Sequence, residues 1–333
     1  MLKLVAIIKS TVFIKCTAFV FVMAGSVWAC QVPVFRYALE RWNPDQYKMT
    51  ILYGDETKST AQQFANHLAS RDSQKSQLDV ELVHVDQAND LRWKEAWKIF
   101  GSKGDPVAVA TYPAKATALK DQIAYLASIK KQSVEDITTS PARQEIASRL
   151  SSGDSAVWIL LESGKAAEDD EAAKVLKSQL ELDETWLKLP SAEELEVKPE
   201  VLEQLAIPLR IKFSIVRVKR DDPREQFLVQ SLLGSESDLR SLGEPMAFPV
   251  FGRGLVLYAL VGKGIAPDTI RAASSFVAGP CSCQVKEQNP GFDLLVNFDW
   301  DKSLGDVFVS QPIPGAGAAP KLLTIPPGRK SKQ

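Results

Sequence analysis

The order of apolar segments in the second half of the chain is the strongest constraint on its fold. Residues 156–161 form a continuous apolar run, which is typical of a strand buried on both faces of a parallel sheet. A long helix is predicted at about 169–188, because Val175, Leu176 and Leu180 recur on one of its faces. The segments that follow are a strand at 211–218, a helix after Asp222, two strands at 248–251 and 255–261 joined by Gly252-Arg253-Gly254, and a helix at 267–278. This order, β-α-β-α-β-β-α, predicts an α/β fold.

The first half of the chain approximates the same order. It contains predicted strands at 47–53, 78–85 and 107–112, helices at 60–69 and 91–100, and further helical segments at 118–129 and 141–150. A closing strand is predicted at 292–300. Used twice, this order resembles the thioredoxin fold, which implies two three-layer α/β domains in tandem. The loops at 54–59 and 163–167 lack that family's Cys-x-x-Cys pair, so the resemblance does not imply reductase activity.

The first thirty residues have the pattern of an export signal. Lys3, Lys9 and Lys15 precede or interrupt an apolar stretch that contains no acidic residue, and small residues lead to Ala29. This predicts a signal peptide at 1–29 and a periplasmic or cell-envelope location. A retained membrane anchor is the alternative, but it needs about 20 uninterrupted apolar residues. Cleavage after Ala29 would leave Cys30 first, where a lipid could be attached.

The mature chain is long enough for two domains. The expected boundaries are 30–153 for the first thioredoxin-like domain, 154–302 for the second, and 303–333 for a disordered tail rich in Pro, Gly and Lys. Removing the signal takes away three lysines and no acidic residue, which shifts the net charge from −1 to about −4. This balance argues against nucleic-acid binding, which needs a concentrated basic face.

Cysteine is the only residue type that forms a cluster with its own chemistry. Cys281 and Cys283 are separated by one serine in the second predicted domain, and Cys30 is the remaining cysteine of the mature chain. Three roles stay open. The cysteines could form a structural disulfide, with Cys30 joined to the pair, or remain as packed thiols. They could also act in thiol redox chemistry, in which Lys286 would favour the thiolate form of a cysteine. They could also bind a soft metal such as Cu(I) or Zn(II), although two thiolates do not complete a zinc site.

Two longer stretches carry a second resemblance. These are Cys-Gln-Val-Pro-Val-Phe-Arg-Tyr-Ala-Leu-Glu-Arg-Trp at 30–42 and Gly-Pro-Cys-Ser-Cys-Gln-Val-Lys at 279–286, continued by Asn-Pro-Gly at 289–291. They resemble an uncharacterised family of exported bacterial proteins. The resemblance implies export and no particular activity.

Other motifs are interpreted as structural. The sequences Gly252-Arg253-Gly254 and Gly262-Lys263-Gly264 match neither a dinucleotide fingerprint nor a P-loop, and they indicate turns. His84 lies in an alternating strand, where a solvent-facing or satisfied core residue is commoner than a catalytic base. The leading hypothesis is therefore an exported, non-catalytic protein that binds a protein partner or supports an envelope assembly. A redox protein is the second hypothesis, and a soft-metal carrier is the third.

Overall fold

The chain is a mixed α/β protein with two mixed sheets. The computed structural model describes residues 31–71, 77–101, 104–119, 122–129, 134–281, 286 and 291–311. The strands are β1 Tyr47–Tyr53, β2 Leu78–His84, β3 Val107–Thr111, β4 Ile123–Ser128, β5 Ala156–Glu162, β6 Phe213–Lys219, β7 Met246–Phe251, β8 Leu255–Val256, β9 Leu260–Val261 and β10 Phe292–Asp293. The helices are α1 Val34–Arg41, α2 Lys58–Arg71, α3 Leu91–Ala96, α4 Val134–Thr138, α5 Pro141–Ser151, α6 Ala166–Trp186, α7 Pro199–Glu203, α8 Gln226–Gly234, α9 Pro267–Ala278 and α10 Trp300–Leu304.

The predicted signal peptide at 1–29, Cys30 and the tail from 312 onward lie outside the described residues. Among the helices that the structure describes, none is both long enough and apolar enough to span a membrane.

The first sheet has the strand order β2-β1-β3-β4, with β1 and β2 parallel and the other neighbours antiparallel. The helix predicted at 118–129 is wrong, because residues 123–128 form β4. Tyr125 explains the difference: its side chain is fully buried and its ring packs 5.0 Å from that of Phe227 on α8. Pairing with β3 and packing on α8 therefore decide the conformation of a segment with no strong preference of its own.

The second sheet repeats this arrangement in the order β6-β5-β7-β8-β10, and β9 pairs with β7. Strands β5 and β6 are parallel, and β7 is antiparallel to β5. The closing strand predicted at 292–300 is shorter than expected, since β10 ends at Asp293 and helix α10 begins at Trp300.

Side chains of β5 alternate between two apolar layers. Val157, Ile159 and Leu161 face a core that is shared with the first sheet and with helices α2, α4, α5 and α8. Trp158 and Leu160 face the opposite layer, which is built from α1, α6 and α9. The two sheets thus enclose a common helical layer, and the second sheet has a further helical layer outside it.

The two ends of the described chain meet on the second sheet. Helix α1 packs against β7 and α9, although the sequence assigned residues 30–153 to the first domain. Its buried Glu40 pairs with Arg36 at 2.6 Å and accepts the backbone N–H groups of Val309 and Ser310 at 3.0 and 2.7 Å. The chain is therefore packed at least as far as Ser310, within the segment that the sequence predicted to be disordered from residue 303.

The close approach of α1 also requires glycine at 252. Gly252 has φ of 60°, and a Cβ at this position would lie 2.7 Å from the Cβ of Ala38. The adjacent Arg253 donates to the carbonyl of Leu39 at 2.8 Å. The predicted hairpin turn at 252–254 is confirmed, and it anchors the N-terminal helix as well as joining two strands.

Candidate functional site

Cys281 is the one predicted site cysteine within the described residues. Its side chain is 1% exposed and lies in the apolar layer formed by α1, α6 and α9. Cys30 and Cys283 lie outside the described residues, so the predicted redox and metal roles involve positions that the structure does not describe. Reactive thiolates occupy electropositive, partly exposed positions, and Cys281 does not have such an environment.

The backbone brings together the two stretches that carry the family resemblance. Cys281 N–H donates to the carbonyl of Val32 at 2.9 Å, and Val34 N–H donates to the carbonyl of Gly279 at 2.9 Å. Between them, Pro33 and Pro280 form an antiparallel bridge. The start of the described chain and the Cys281 segment are therefore neighbours, although about 250 residues separate them in sequence.

Lys286, which comes shortly after the two cysteines in sequence, belongs to a charged cluster. Lys286 lies 3.3 Å from Asp45, forms an ion pair with Asp293, and donates to the carbonyl of Asn43 at 2.5 Å. Asp293 also accepts the backbone N–H of Asp45 at 2.7 Å. Burial raises the pKa of Asp293 to about 6; Lys286 opposes this rise, and Asp45 adds to it.

This cluster was not predicted from the sequence. The signal that could have revealed it is a single carboxylate, Asp293, within the apolar segment at 292–296. A buried carboxylate requires a partner, because an isolated charge is costly in an apolar environment. Lys286 precedes Asp293 by seven residues, whereas Asp45 comes from a distant part of the chain, and only the tertiary structure shows that both contact Asp293.

The loops that follow β1 and β5 are occupied by the protein's own side chains. In the second loop, the buried carboxylate of Asp169 accepts Ser163 N–H at 2.7 Å, the Ser163 hydroxyl at 2.8 Å and Gly164 N–H at 3.1 Å. In the first, the Thr57 hydroxyl accepts Gly54 N–H at 3.0 Å. These backbone donors, which precede helices and favour anions, are thus satisfied within the chain.

His84 has a capping role at the end of β2. Its Nδ1 accepts the backbone N–H of Asp86 at 3.3 Å, and its Nε2 lies 3.1 Å from a carboxylate oxygen of Asp55. Because the Nδ1 lone pair is engaged by the backbone, this nitrogen is not available as a general base. The His84 side chain is 15% exposed, and both of its ring nitrogens contact neighbouring residues, as expected of a satisfied residue.

The aromatic residues near the N-terminus belong to the core. Phe35, Tyr37 and Trp42 are 3–6% exposed and pack with the outer layer of the second sheet. These three side chains therefore stabilise the fold and do not form an exposed aromatic surface.

Within the described part of the chain, no three His, Cys, Asp or Glu side chains are grouped so that they could hold a metal ion. Comparisons of the chain with models of protein families, with curated proteins and with solved structures found no match.

Proposed function

We propose that this chain is an exported, non-catalytic protein built from two thioredoxin-like domains, and that it binds a protein partner in the cell envelope. The strand orders β2-β1-β3-β4 and β6-β5-β7-β8 support the thioredoxin-like assignment, since each begins with a parallel pair and continues with two antiparallel strands. The residues at 1–29 support export through their sequence pattern alone.

The non-catalytic assignment depends on one observation: the loop after β5 is hydrogen-bonded to a carboxylate of the chain itself. In this fold, chemistry is expected where the first strand meets the first helix. Here the carboxylate of Asp169, which is 2% exposed, accepts three hydrogen bonds from Ser163 and Gly164 at that position. The loop is stabilised by an internal carboxylate, which engages the Ser163 hydroxyl and the backbone donors of Ser163 and Gly164.

The cysteines fit a structural cross-link better than redox turnover. Next to the Pro33–Pro280 bridge, Cys281 N–H donates to the carbonyl of Val32. In sequence, Cys30 is two residues from Val32, and Cys283 is two residues from Cys281. Two residues span at most about 7 Å, so Cys30 is within reach of the Cys281-Ser282-Cys283 triplet. Joining two thiols releases two electrons and two protons, which the dithiol oxidases of an oxidising compartment would accept.

The partner surface is expected on the outward face of α6. Leu182 and Trp186 are each 58% exposed and lie one helical turn apart. Arg271 on α9 places its guanidinium 5.3 Å from the centre of the Trp186 ring. Trp and Arg are enriched among the residues that dominate protein interfaces.

The test of partner binding is site-specific photo-crosslinking in the cells that export the protein. A photoreactive residue at Leu182 should yield one discrete adduct, and the same residue at Lys174, which is exposed on the same helix, should not. Adducts of equal yield at both positions, or at neither, would contradict a partner surface on this face.

The cysteine assignment is tested by peptide mapping of the purified mature protein without reduction. The expected product joins Cys30 to Cys283 or Cys281, and insulin-reduction assays should show no turnover. Turnover that is lost in Cys281→Ser or Cys283→Ser would establish the redox alternative. Thiols that lose reactivity stoichiometrically with added Cu(I) would establish the soft-metal alternative.

A further inference from the structure

The chain that leads into Cys281 is paired with the start of the described chain. Cys281 N–H donates to the carbonyl of Val32 at 2.9 Å, and Pro33 lies opposite Pro280 in an antiparallel bridge. In an antiparallel pair, each step backward along one strand is matched by one step forward along the other. These contacts therefore fix a register in which Val32 is the partner of Cys281.

The same register assigns a partner to Cys30, which lies outside the described residues together with Cys283. Cys30 is two residues before Val32, and Cys283 is two residues after Cys281. Two matched steps from the Val32–Cys281 pair therefore lead to Cys30 on one strand and to Cys283 on the other. The positions of the two cysteines in sequence are thus the positions that a cross-strand pair requires.

The type of antiparallel pair matters, because it sets the distance between the two Cα atoms. Hydrogen bonds lie on either side of the Pro33–Pro280 pair, so the neighbouring pair, which contains Cys281, is a hydrogen-bonded one. The types alternate, so the pair two steps further is of the same type, with Cα atoms about 5.5 Å apart. Disulfides join residues whose Cα atoms are about 4.4–6.8 Å apart, and a Cys30–Cys283 bond meets this requirement.

The alternative bond from Cys30 to Cys281 meets two obstacles. In this register the two residues are diagonal neighbours with Cα atoms about 7–8 Å apart, and a distance above about 7 Å cannot be bridged without backbone movement. In addition, the Cys281 side chain is 1% exposed and lies with Val32 in the apolar layer of the second sheet. Cys281 therefore contributes to the core, and the register favours Cys283 as the partner of Cys30.

We propose that Cys30 and Cys283 are joined by a disulfide, which extends the observed pairing between their two segments. Two S–H bonds break and one S–S bond forms; the two protons pass to water, and the two electrons reduce the disulfide of a dithiol oxidase. This inference rests on the proposed export, which supplies an oxidising compartment. A thioether-linked lipid would need the same sulfur atom of Cys30, so the disulfide excludes that anchor.

The test is mass spectrometry of tryptic peptides from the protein purified from the exporting cells, with its thiols alkylated before any reduction. The expected product joins the peptide that contains Cys30 to residues 272–286 and separates on reduction. The second peptide contains both Cys281 and Cys283, so two variants identify the sulfur atom. Cys281→Ala, which keeps the buried position apolar, should leave the yield of the cross-linked product unchanged, whereas Cys283→Ser should abolish this product.

A second experiment separates this pairing from the proposed export. The purified protein is reduced and then reoxidised in a glutathione buffer, and the Cys30–Cys283 product should form again. A cellular protein that still begins at Met1 contradicts export, while its cross-link after reoxidation still supports the pairing. The pairing is overturned if Cys30 carries a lipid, if Cys30 and Cys283 are both alkylated after reoxidation, or if Cys283→Ser forms a Cys30–Cys281 product in equal yield.

Discussion

The two sheets have the same strand order but differ in how their outer faces are covered. The outer face of the second sheet lies under α1, α6 and α9, and Trp158 there is fully buried. The outer face of the first sheet is covered by α3 and the π-helical turn Trp97–Gly101, where Leu91 and Ile99 are 78% and 63% exposed. The same strand order thus supports one sheet whose outer face is covered by three helices and one whose outer face is covered by a short helical segment.

The difference arises from the N-terminal helix. Helix α1 comes from the start of the described chain but packs against β7 and α9, and the segment near Ser310 joins it there. The second region is therefore completed by both ends of the described chain. It follows that a fragment beginning at residue 154 would lack part of its own core.

The largest expected effect tests whether the two regions unfold together. Phe227 is buried between the sheets, and its ring lies 5.7 Å from that of Tyr47 and 5.0 Å from that of Tyr125. Phe227→Ala should lower the free energy of unfolding by about 3–5 kcal/mol in urea titrations, because it leaves a cavity in the shared core. A single transition is expected by both fluorescence and circular dichroism. Two separate transitions would show that the regions are independent.

The second prediction concerns the charged cluster that connects the regions. Burial raises the pKa of Asp293 to about 6, above its ordinary value of 3.8. Between these values the folded protein binds a proton that the unfolded chain releases, so this group adds stability as the pH falls from about 6 to 4. Compared with Asp293→Asn, the wild type should gain about 2–3 kcal/mol over that interval.

The measurement is the free energy of unfolding of both proteins at pH 7, 6, 5 and 4. Asp306→Asn is the control, since Asp306 is exposed and should give a nearly constant difference from the wild type. A difference for Asp293→Asn that stays constant with pH, or that changes in the opposite direction, would exclude this role of burial.

The smallest expected effect compares the two equivalent loops. Asp169→Ala should cost about 2 kcal/mol, because Asp169 is charged, buried and accepts three hydrogen bonds. Thr57→Ala in the first loop should cost about 1 kcal/mol, since a single hydroxyl is lost. Asp170→Ala is the matched control and should change stability by less than about 0.5 kcal/mol, as Asp170 is exposed. Equal losses for Asp169 and Thr57 would remove the distinction between the loops.

Several elements could be predicted because their signal is local. The apolar run at 156–161 predicts β5, and Pro141 at the first position of a helix predicts α5. Strand β4 was missed because its conformation depends on pairing with β3 and packing of Tyr125 on α8. The cysteine pair could be recognised from the sequence, but the burial of Cys281 and its contact with Val32 could not.

By itself, the amino-acid sequence determined the alternating order of strands and helices, the export pattern and the positions of the cysteines. These depend on the periodicity of apolar residues and on short motifs. The tertiary structure alone decided that α1 completes the second sheet, that Asp45 lies beside Asp293, and that Val32 is bound to Cys281. Such contacts join residues far apart in the chain, and their stability comes from shared burial and charge pairing, which no local pattern encodes.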